Sequence, residues 1–165
     1  MDSGISFHVD ATQGSSRRLG VKIEINGPFT ENILELRFPR WVPGSYFIRE
    51  PIQHMSEISA TCDGAEIKVS RVGVDGARIS GVSGASKVTL TYRLLAAEMT
   101  CRANHLDATH VHIMPPYTWM IPTRGIDLAE VLEKELFTKT SSVTATMLSS
   151  RRTTWLSGSL AKYSK

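Results

Sequence analysis

The chain has 165 residues, 41% of them hydrophobic and 21% charged, and its 19 Lys and Arg residues exceed its 16 Asp and Glu residues to give a net charge of +3. This composition suffices for one domain with an apolar core, so we expect residues 1–165 to form a single domain. So small a charge excess does not indicate a nucleic-acid-binding protein. No apolar run could cross a membrane and no secretion signal is present, so we expect a cytoplasmic protein.

Short β-rich runs alternate with turn residues over the first hundred positions, a pattern typical of an antiparallel β-sandwich. Residues 18–26 read RLGVKIEIN, which places four aliphatic side chains on one face of a strand. The run 33–38 ends at Pro39, which cannot donate a hydrogen bond to a sheet. Asp63-Gly64 predicts a hairpin between residues 58–62 and 66–69. Further strands are predicted at residues 78–79, 87–95 and 109–114.

The C-terminal third has fewer β-rich runs than the first hundred residues. Prolines bracket residues 114–122, which we expect to be stiff and mostly extended. The sequence IDLAEVLEKEL at 126–136 has helical periodicity, and alternation in SSVTATML predicts one more strand. We expect Cys62 and Cys101 to be small buried side chains. The predicted fold is therefore mainly β, an antiparallel β-sandwich with one short helix near the C-terminus.

A first candidate site surrounds the sequence WVPGSY. Pro43 and Gly44 favour a type II turn that would present Trp41 and Tyr46 at defined positions, although an aromatic corner of a sandwich would give the same pattern. Arg49 and Glu50 follow, and this charged pair could either close the corner internally or meet a partner or substrate. The residues alone leave both interpretations open.

A second candidate is the cluster of His105, Asp107, His110 and His112. Imidazole and carboxylate groups are ordinary zinc ligands, and a small metalloenzyme built on this cluster is one interpretation. However, only His110 and His112 would share a strand face, so we favour a polar turn in which Asp107 and Thr109 satisfy backbone groups. We therefore expect no metal site in this chain.

Motifs of the common enzyme classes are missing from the sequence. It contains no H-E-x-x-H, no G-x-S-x-G, no G-x-x-x-x-G-K-S/T and no G-x-G-x-x-G after a strand. We therefore expect no complete catalytic centre and no catalytic residue in the chain as given.

Two stretches, WVPGSYFIRE and RANHLDATHVHIMPP, are similar to the N-terminal domain of the glycyl aminopeptidases, a family of zinc metallopeptidases. The resemblance extends from about residue 5 to residue 122, and more loosely to residue 165. At position 108 an alanine stands where the family pattern suggests a second acidic residue. The matching residues are Trp41, Pro43, Gly44, Ser45, Tyr46, Arg49 and Glu50 in the first stretch, and Arg102, Asn104, Asp107, Thr109 and His110 in the second.

The resemblance implies a non-catalytic N-terminal domain that packs on a catalytic domain, of the same polypeptide or of a relative, and shapes its peptide-binding cleft. Zinc would then be bound only in that catalytic domain. An alternative is a stand-alone peptide- or glycan-binding β-sandwich in which Trp41, Tyr46, Tyr117 and Trp119 would line a concave site. If apolar surface is left bare, we expect that a homodimer could cover it. The candidate cleft or interface residues are Trp41, Tyr46, Arg49, Glu50, Asn104, Asp107 and His110.

Overall fold

The structure is a computed structural model that describes residues 4–29, 31–41, 46–100, 102–126 and, for the backbone, 143–146. Within these residues lie twelve strands, one short helix, α1 (Pro115–Thr118), and 3₁₀ turns at Gly14–Ser16 and Pro51–His54. None of the helices described is long and apolar enough to span a membrane. The strands are β1 Ile5–Asp10, β2 Arg18–Asn26, β3 Ile33–Arg37, β4 Met55–Cys62, β5 Ala65–Ile67, β6 Val69–Val72, β7 Gly76–Ser80, β8 Lys87–Leu95, β9 His105–Leu106, β10 Val111–His112, β11 Ile121–Arg124 and β12 Val143–Thr146.

The larger sheet has six strands in the order β12-β1-β2-β8-β4-β5, and every pair in it is antiparallel except β1 with β12. Its centre is the pair β2 and β8, which are in register from Arg18 opposite Leu95 to Asn26 opposite Lys87. Alternate residues of β2 are buried, as the sequence predicts, because side chains of a strand point to opposite faces.

Of the two sheets that enclose the core, the smaller has four strands in the order β11-β3-β7-β6, and β9 and β10 form a separate two-stranded sheet. Glu35 in β3 is buried, and its carboxylate accepts hydrogen bonds from Arg78 Nε at 2.8 Å and from Arg37 Nη2 at 3.4 Å. The hydrogen bond to Arg78 lowers the pKa of Glu35, so the carboxylate stays charged and paired.

The core lies between the two sheets, which makes the fold a β-sandwich, as predicted. Apolar side chains from both sheets form one buried cluster. Tyr92 crosses it: the ring packs edge-on against Phe38 at 5.9 Å between centroids, and the hydroxyl donates to Thr118 O at 2.6 Å. This hydrogen bond ties α1 to the larger sheet.

Several local expectations are wrong. Residues 115–118, expected to be extended, form α1, because Pro fits the first turn of a helix, where its missing N–H would be unsatisfied in any case. The predicted strand 66–69 divides at Lys68: β5 joins the larger sheet and β6 the smaller one. Cys62 is half-buried rather than buried.

Other predicted elements are shorter than expected or lie outside the described residues. The strand predicted at 109–114 is reduced to β10, Val111–His112, because a turn occupies residues 107–110. The helix expected at 126–136 falls outside the described residues except for Ile126, and so does Cys101. The strand expected in SSVTATML is present as β12, Val143–Thr146.

Candidate functional site

An exposed aromatic segment, here defined as Trp41 and residues 46–48, follows β3 on the surface. The exposed fractions are 60% for Trp41, 99% for Tyr46 and 65% for both Phe47 and Ile48. Its base is closed by a hydrogen bond from Arg49 N to Arg40 O at 2.9 Å. The segment is therefore anchored at its base while its large side chains face outward. The turn predicted at Pro43-Gly44 lies outside the described residues.

Arg49 and Glu50 point to different partners. Glu50 Oε1 lies 3.6 Å from Arg40 Nη2 in a half-exposed ion pair. The Arg49 guanidinium lies 5.9 Å from the centroid of the Phe47 ring, and its Nε is buried without a hydrogen-bond partner among the described residues. The two residues do not pair with each other, so Arg49 remains available for a group outside this part of the chain.

A cleft of about 580 Å³ opens beside the aromatic segment. Its walls are the 3₁₀ turn Pro51–His54, the end of β8 with the residues that follow it, and α1. The two sequence motifs, some fifty positions apart, therefore meet at one place. The charged and polar residues that line the cleft include Arg49, Glu50, His54, Glu98, Arg102, Asn104 and Tyr117.

Asn104 holds one wall of this cleft in place. Its side chain is buried; Oδ1 accepts hydrogen bonds from Met114 N at 2.8 Å and Thr118 Oγ1 at 3.0 Å, and Nδ2 donates to Tyr117 O at 3.2 Å. Both polar atoms of the amide are thus engaged with α1 and the residue before it. Asn104 fixes the position of Tyr117 at the cleft.

Tyr117 is half-buried between charges of both signs. Burial raises the pKa of its hydroxyl. The positive charges of Arg49 and Arg102 oppose this shift in the pKa, and the negative charge of Glu98 adds to it. The net effect keeps the hydroxyl protonated, so it can donate a hydrogen bond. Two guanidinium groups and one hydroxyl donor therefore share the cleft.

Asp107 caps a turn that does not line the cleft. Its Oδ1 accepts hydrogen bonds from the backbone N–H groups of Thr109 and His110, both at 2.6 Å, and from Thr109 Oγ1 at 2.9 Å. These bonds lower the pKa of Asp107. The expected polar turn is confirmed for Asp107, whereas the Thr109 hydroxyl bonds to Asp107 rather than to the backbone. The cleft therefore brings together Arg49, Glu50 and Asn104, but neither Asp107 nor His110.

His105 and His110 both lie beside Asp107, and His112 is opposite His105 in the pair of β9 and β10. His105 is buried and its Nε2 lies 3.2 Å from Asp107 Oδ2, while His110 and His112 are exposed. Among the described residues, no group of three or more His, Cys, Asp or Glu side chains is arranged to hold a metal ion.

Sequence reasoning did not anticipate His54 and Glu98 as cleft residues. His54 ends a four-residue 3₁₀ turn and Glu98 follows β8, and neither lies in a recognisable motif. They line the same cleft because the turn packs beside the end of β8. A local sequence pattern does not predict such packing between distant segments.

The fold and the site define a class of protein: a β-sandwich domain whose candidate functional residues lie on the surface and in one open cleft. The family model described as the Peptidase M61 N-terminal domain matches residues 6–156. The chain belongs to the Peptidase M61 N-terminal domain family. The resemblance seen in the sequence is thereby confirmed at the level of the peptidase family and the domain.

One solved structure supports the fold. An aminopeptidase N family protein from Idiomarina loihiensis aligns with a TM-score of 0.66 at 20% identity, over 72% of this chain and 20% of that one. An M1 zinc metallopeptidase from Deinococcus radiodurans aligns with a TM-score of 0.38 at 8% identity, over 66% of this chain and 26% of that one, which is too weak a similarity for any conclusion. The chain thus spans about one fifth of the first protein. No curated protein matches the sequence significantly.

Proposed function

We propose that this chain is the non-catalytic N-terminal domain of a zinc aminopeptidase of the glycyl aminopeptidase type, and that it packs on the catalytic domain and shapes its substrate cleft. The family match over residues 6–156 is the observation that carries the proposal. The span of only one fifth of the Idiomarina aminopeptidase N family protein supports it, because such a share corresponds to one domain of a larger enzyme.

The aromatic segment is the proposed contact with the catalytic domain. Tyr46 and Ile48 are 99% and 65% exposed, and Met99, which follows the cleft residue Glu98, is 78% exposed. Exposed large apolar side chains are typical of interaction sites, because hydrating them is unfavourable. We therefore expect the catalytic domain to bury these side chains.

Arg49 links the contact to the cleft. Its backbone closes the base of the aromatic segment, and its side chain lines the cleft. A domain that covered the segment would reach the mouth of the cleft, so the cleft would become one wall of a shared substrate site. In this arrangement zinc belongs to the catalytic domain, and the chain described here contributes the shape and charge of that wall.

The alternative of a stand-alone peptide- or glycan-binding module has less support. It required a concave site lined by Trp41, Tyr46, Tyr117 and Trp119. Of these four, Tyr117 lines the cleft, Trp41 and Tyr46 stand in the exposed segment, and the Trp119 ring packs on Phe7 with centroids 5.0 Å apart. The described residues therefore do not assemble that aromatic site.

The test uses the complete polypeptide that the gene encodes and the substrate glycine p-nitroanilide. Ile48→Asp places a charge in the proposed domain contact, and we expect kcat/KM to fall by about tenfold or more, because a small displacement of a cleft wall misplaces the substrate. Val74→Asp is the matched control, since Val74 is also exposed, at 51%, but lies in the turn between β6 and β7.

Equal effects of Ile48→Asp and Val74→Asp on kcat/KM, with both variants folded, would overturn the proposed contact. Hydrolysis of leucine p-nitroanilide in preference to glycine p-nitroanilide would overturn the glycyl specificity while leaving the contact standing.

A further inference from the structure

We propose that the cleft binds the carboxylate of a short peptide, with Arg49 and Arg102 as the charged donors and Tyr117 as a neutral one. The inference rests on the proposed function for the nature of the ligand, a peptide, and it names the substrate class as peptides short enough for a carboxylate to reach this domain. The site itself is argued from the residues of the cleft.

The two cleft arginines form no ion pair, unlike several arginines elsewhere in the described part of the chain. Arg37, Arg78 and Arg93 each pair with a carboxylate at 2.6–2.8 Å. Arg49 and Arg102 line the cleft and form no ion pair within the part of the chain that is described. A guanidinium presents a planar set of donors that matches a carboxylate, so two unpaired guanidinium groups in one cleft form a receptor for that group.

Arg49 is already positioned for such a ligand. Its backbone N–H is bonded to Arg40 O, its guanidinium packs beside the Phe47 ring, and the residue is only half-exposed. The buried Nε lacks a partner among the described residues. An orphaned buried donor is uncommon in native proteins, and an incoming carboxylate can accept from the same guanidinium fork.

Two carboxylates, those of Glu50 and Glu98, also line the cleft. Glu50 pairs with Arg40 at 3.6 Å rather than with Arg49 or Arg102, and Glu98 forms no ion pair among the described residues. Glu98 and Arg102 are both exposed, so solvent screens the charges of both. Tyr117, whose backbone is fixed by the hydrogen bond from Asn104 Nδ2 to its carbonyl oxygen, adds a protonated hydroxyl to the cleft.

The size of the cleft limits the ligand. A volume of about 580 Å³ falls within the usual range for small-molecule sites and accommodates a peptide of a few residues. The carboxylate has two possible sources in such a peptide, the C-terminus or an acidic side chain. Both present the same group to the arginines.

The test measures binding by calorimetry to the 165-residue chain itself, which has its own core between two sheets. The probes are the peptide Gly-Ala-Ala with a free C-terminus, the same peptide amidated, and amidated Gly-Ala-Glu. We expect the free peptide to bind about tenfold or more tighter than its amide, because the amide loses a charge-assisted pair of hydrogen bonds.

We expect Arg49→Ala and Arg102→Ala each to weaken binding of the free peptide by about tenfold and to leave binding of the amide unchanged. Arg49→Lys keeps the charge without the planar fork and should weaken binding less. Arg124→Ala is the control, because Arg124 is an exposed arginine outside the cleft, paired with Glu31. Circular dichroism melting of each variant separates loss of the site from loss of the fold.

Amidated Gly-Ala-Glu distinguishes the two sources: affinity equal to that of free Gly-Ala-Ala shows that an acidic side chain also serves as the source, and affinity equal to that of amidated Gly-Ala-Ala restricts the source to the C-terminus. The inference is overturned if amidation has no effect, if the free peptide does not bind, or if folded Arg49→Ala and Arg102→Ala bind it as the original chain does. No peptidase activity enters the measurement, so its failure is separate from failure of the proposed domain contact.

Discussion

Tyr92 carries a polar group into the centre of the sandwich. Its hydroxyl donates to Thr118 O at 2.6 Å and accepts a hydrogen bond from Met120 N at 3.3 Å, and burial raises its pKa far above the usual range. We expect Tyr92→Phe to reduce the free energy of unfolding by about 1–3 kcal/mol, because it leaves these two backbone groups unsatisfied in the core.

Urea unfolding measures this loss, with Tyr46→Phe as the control because Tyr46 is 99% exposed. Removing the hydroxyl at that surface position should change the free energy of unfolding by less than about 0.5 kcal/mol relative to the original chain. A Tyr92→Phe variant as stable as the original chain would show that the hydroxyl does not hold α1 on the sheet.

Glu24 is the centre of a charge cluster on the larger sheet. Its carboxylate lies 2.6 Å from Lys87 Nζ, 3.5 Å from Lys22 Nζ and 3.0 Å from His8 Nε2. The hydrogen bond to Lys87, aided by the charges of both lysines, lowers the pKa of Glu24 from 4.5 to about 2. A lowered folded-state pKa stabilises the fold above pH 4.5, and this contribution is lost as the pH falls toward 2.

We therefore expect Glu24→Gln to be less stable than the original chain at pH 7 by about 1 kcal/mol or less, as for other partly exposed ion pairs. The difference should close between pH 4.5 and pH 2, measured by denaturant unfolding at several pH values. Glu66→Gln is the control, since Glu66 is exposed and forms no ion pair within the described ranges. A difference that did not depend on pH would contradict the role of the charge.

Individual side-chain roles could be predicted only where they are local. The capping of the 107–110 turn by Asp107 follows from Asx-turn chemistry over three residues, and the structure confirms it. The roles of Asn104 and Tyr117 depend on contacts across a dozen positions, so the sequence indicated the residues without their partners.

At the scale of elements, the close approach of the end of β11 to β3 requires a glycine at position 125. Gly125 has a φ of +92°, and a Cβ there would overlap the carbonyl oxygen of Ile33. Gly64 has nearly the same φ, +89°, but no atom lies within 4 Å of its would-be Cβ. The two positions therefore share the backbone conformation and differ in the steric contact.

We expect Gly64→Ala to lower the free energy of unfolding by about 1 kcal/mol, the cost of a left-handed backbone for a residue with a Cβ. Gly125→Ala should lower it by clearly more, because β11 must also move away from β3. Thermal unfolding of the two variants makes the comparison, and equal losses would show that the close approach at Gly125 is absent.

The strands that could be predicted are those in which apolar and polar residues alternate, because one of their faces is buried. Arg18–Asn26 and Lys87–Leu95 match the predicted bounds, because each presents one apolar face to the core along nine residues. The division at Lys68 was missed, since the choice of sheet depends on partners elsewhere in the chain. α1 was missed because prolines suggest extended chain, although they also suit the first turn of a helix.

At the scale of the whole molecule, the sandwich class follows from composition and turn spacing, while the cleft does not. Its walls come from the turn after the aromatic segment, the end of β8 and α1, and their meeting depends on how the two sheets close. The family resemblance nevertheless placed Arg49, Glu50 and Asn104 among the candidates, because the two motifs contain these residues. The sequence does not show that they are close in space.

The central claim is that this domain serves a zinc peptidase whose catalytic domain follows it in the polypeptide. The most direct measurement is the coding sequence immediately downstream of Lys165. We expect an H-E-x-x-H motif on a helical pattern within about 200 residues, the length of one further domain. A stop codon directly after Lys165, or a continuation without zinc-ligand motifs, would contradict the claim.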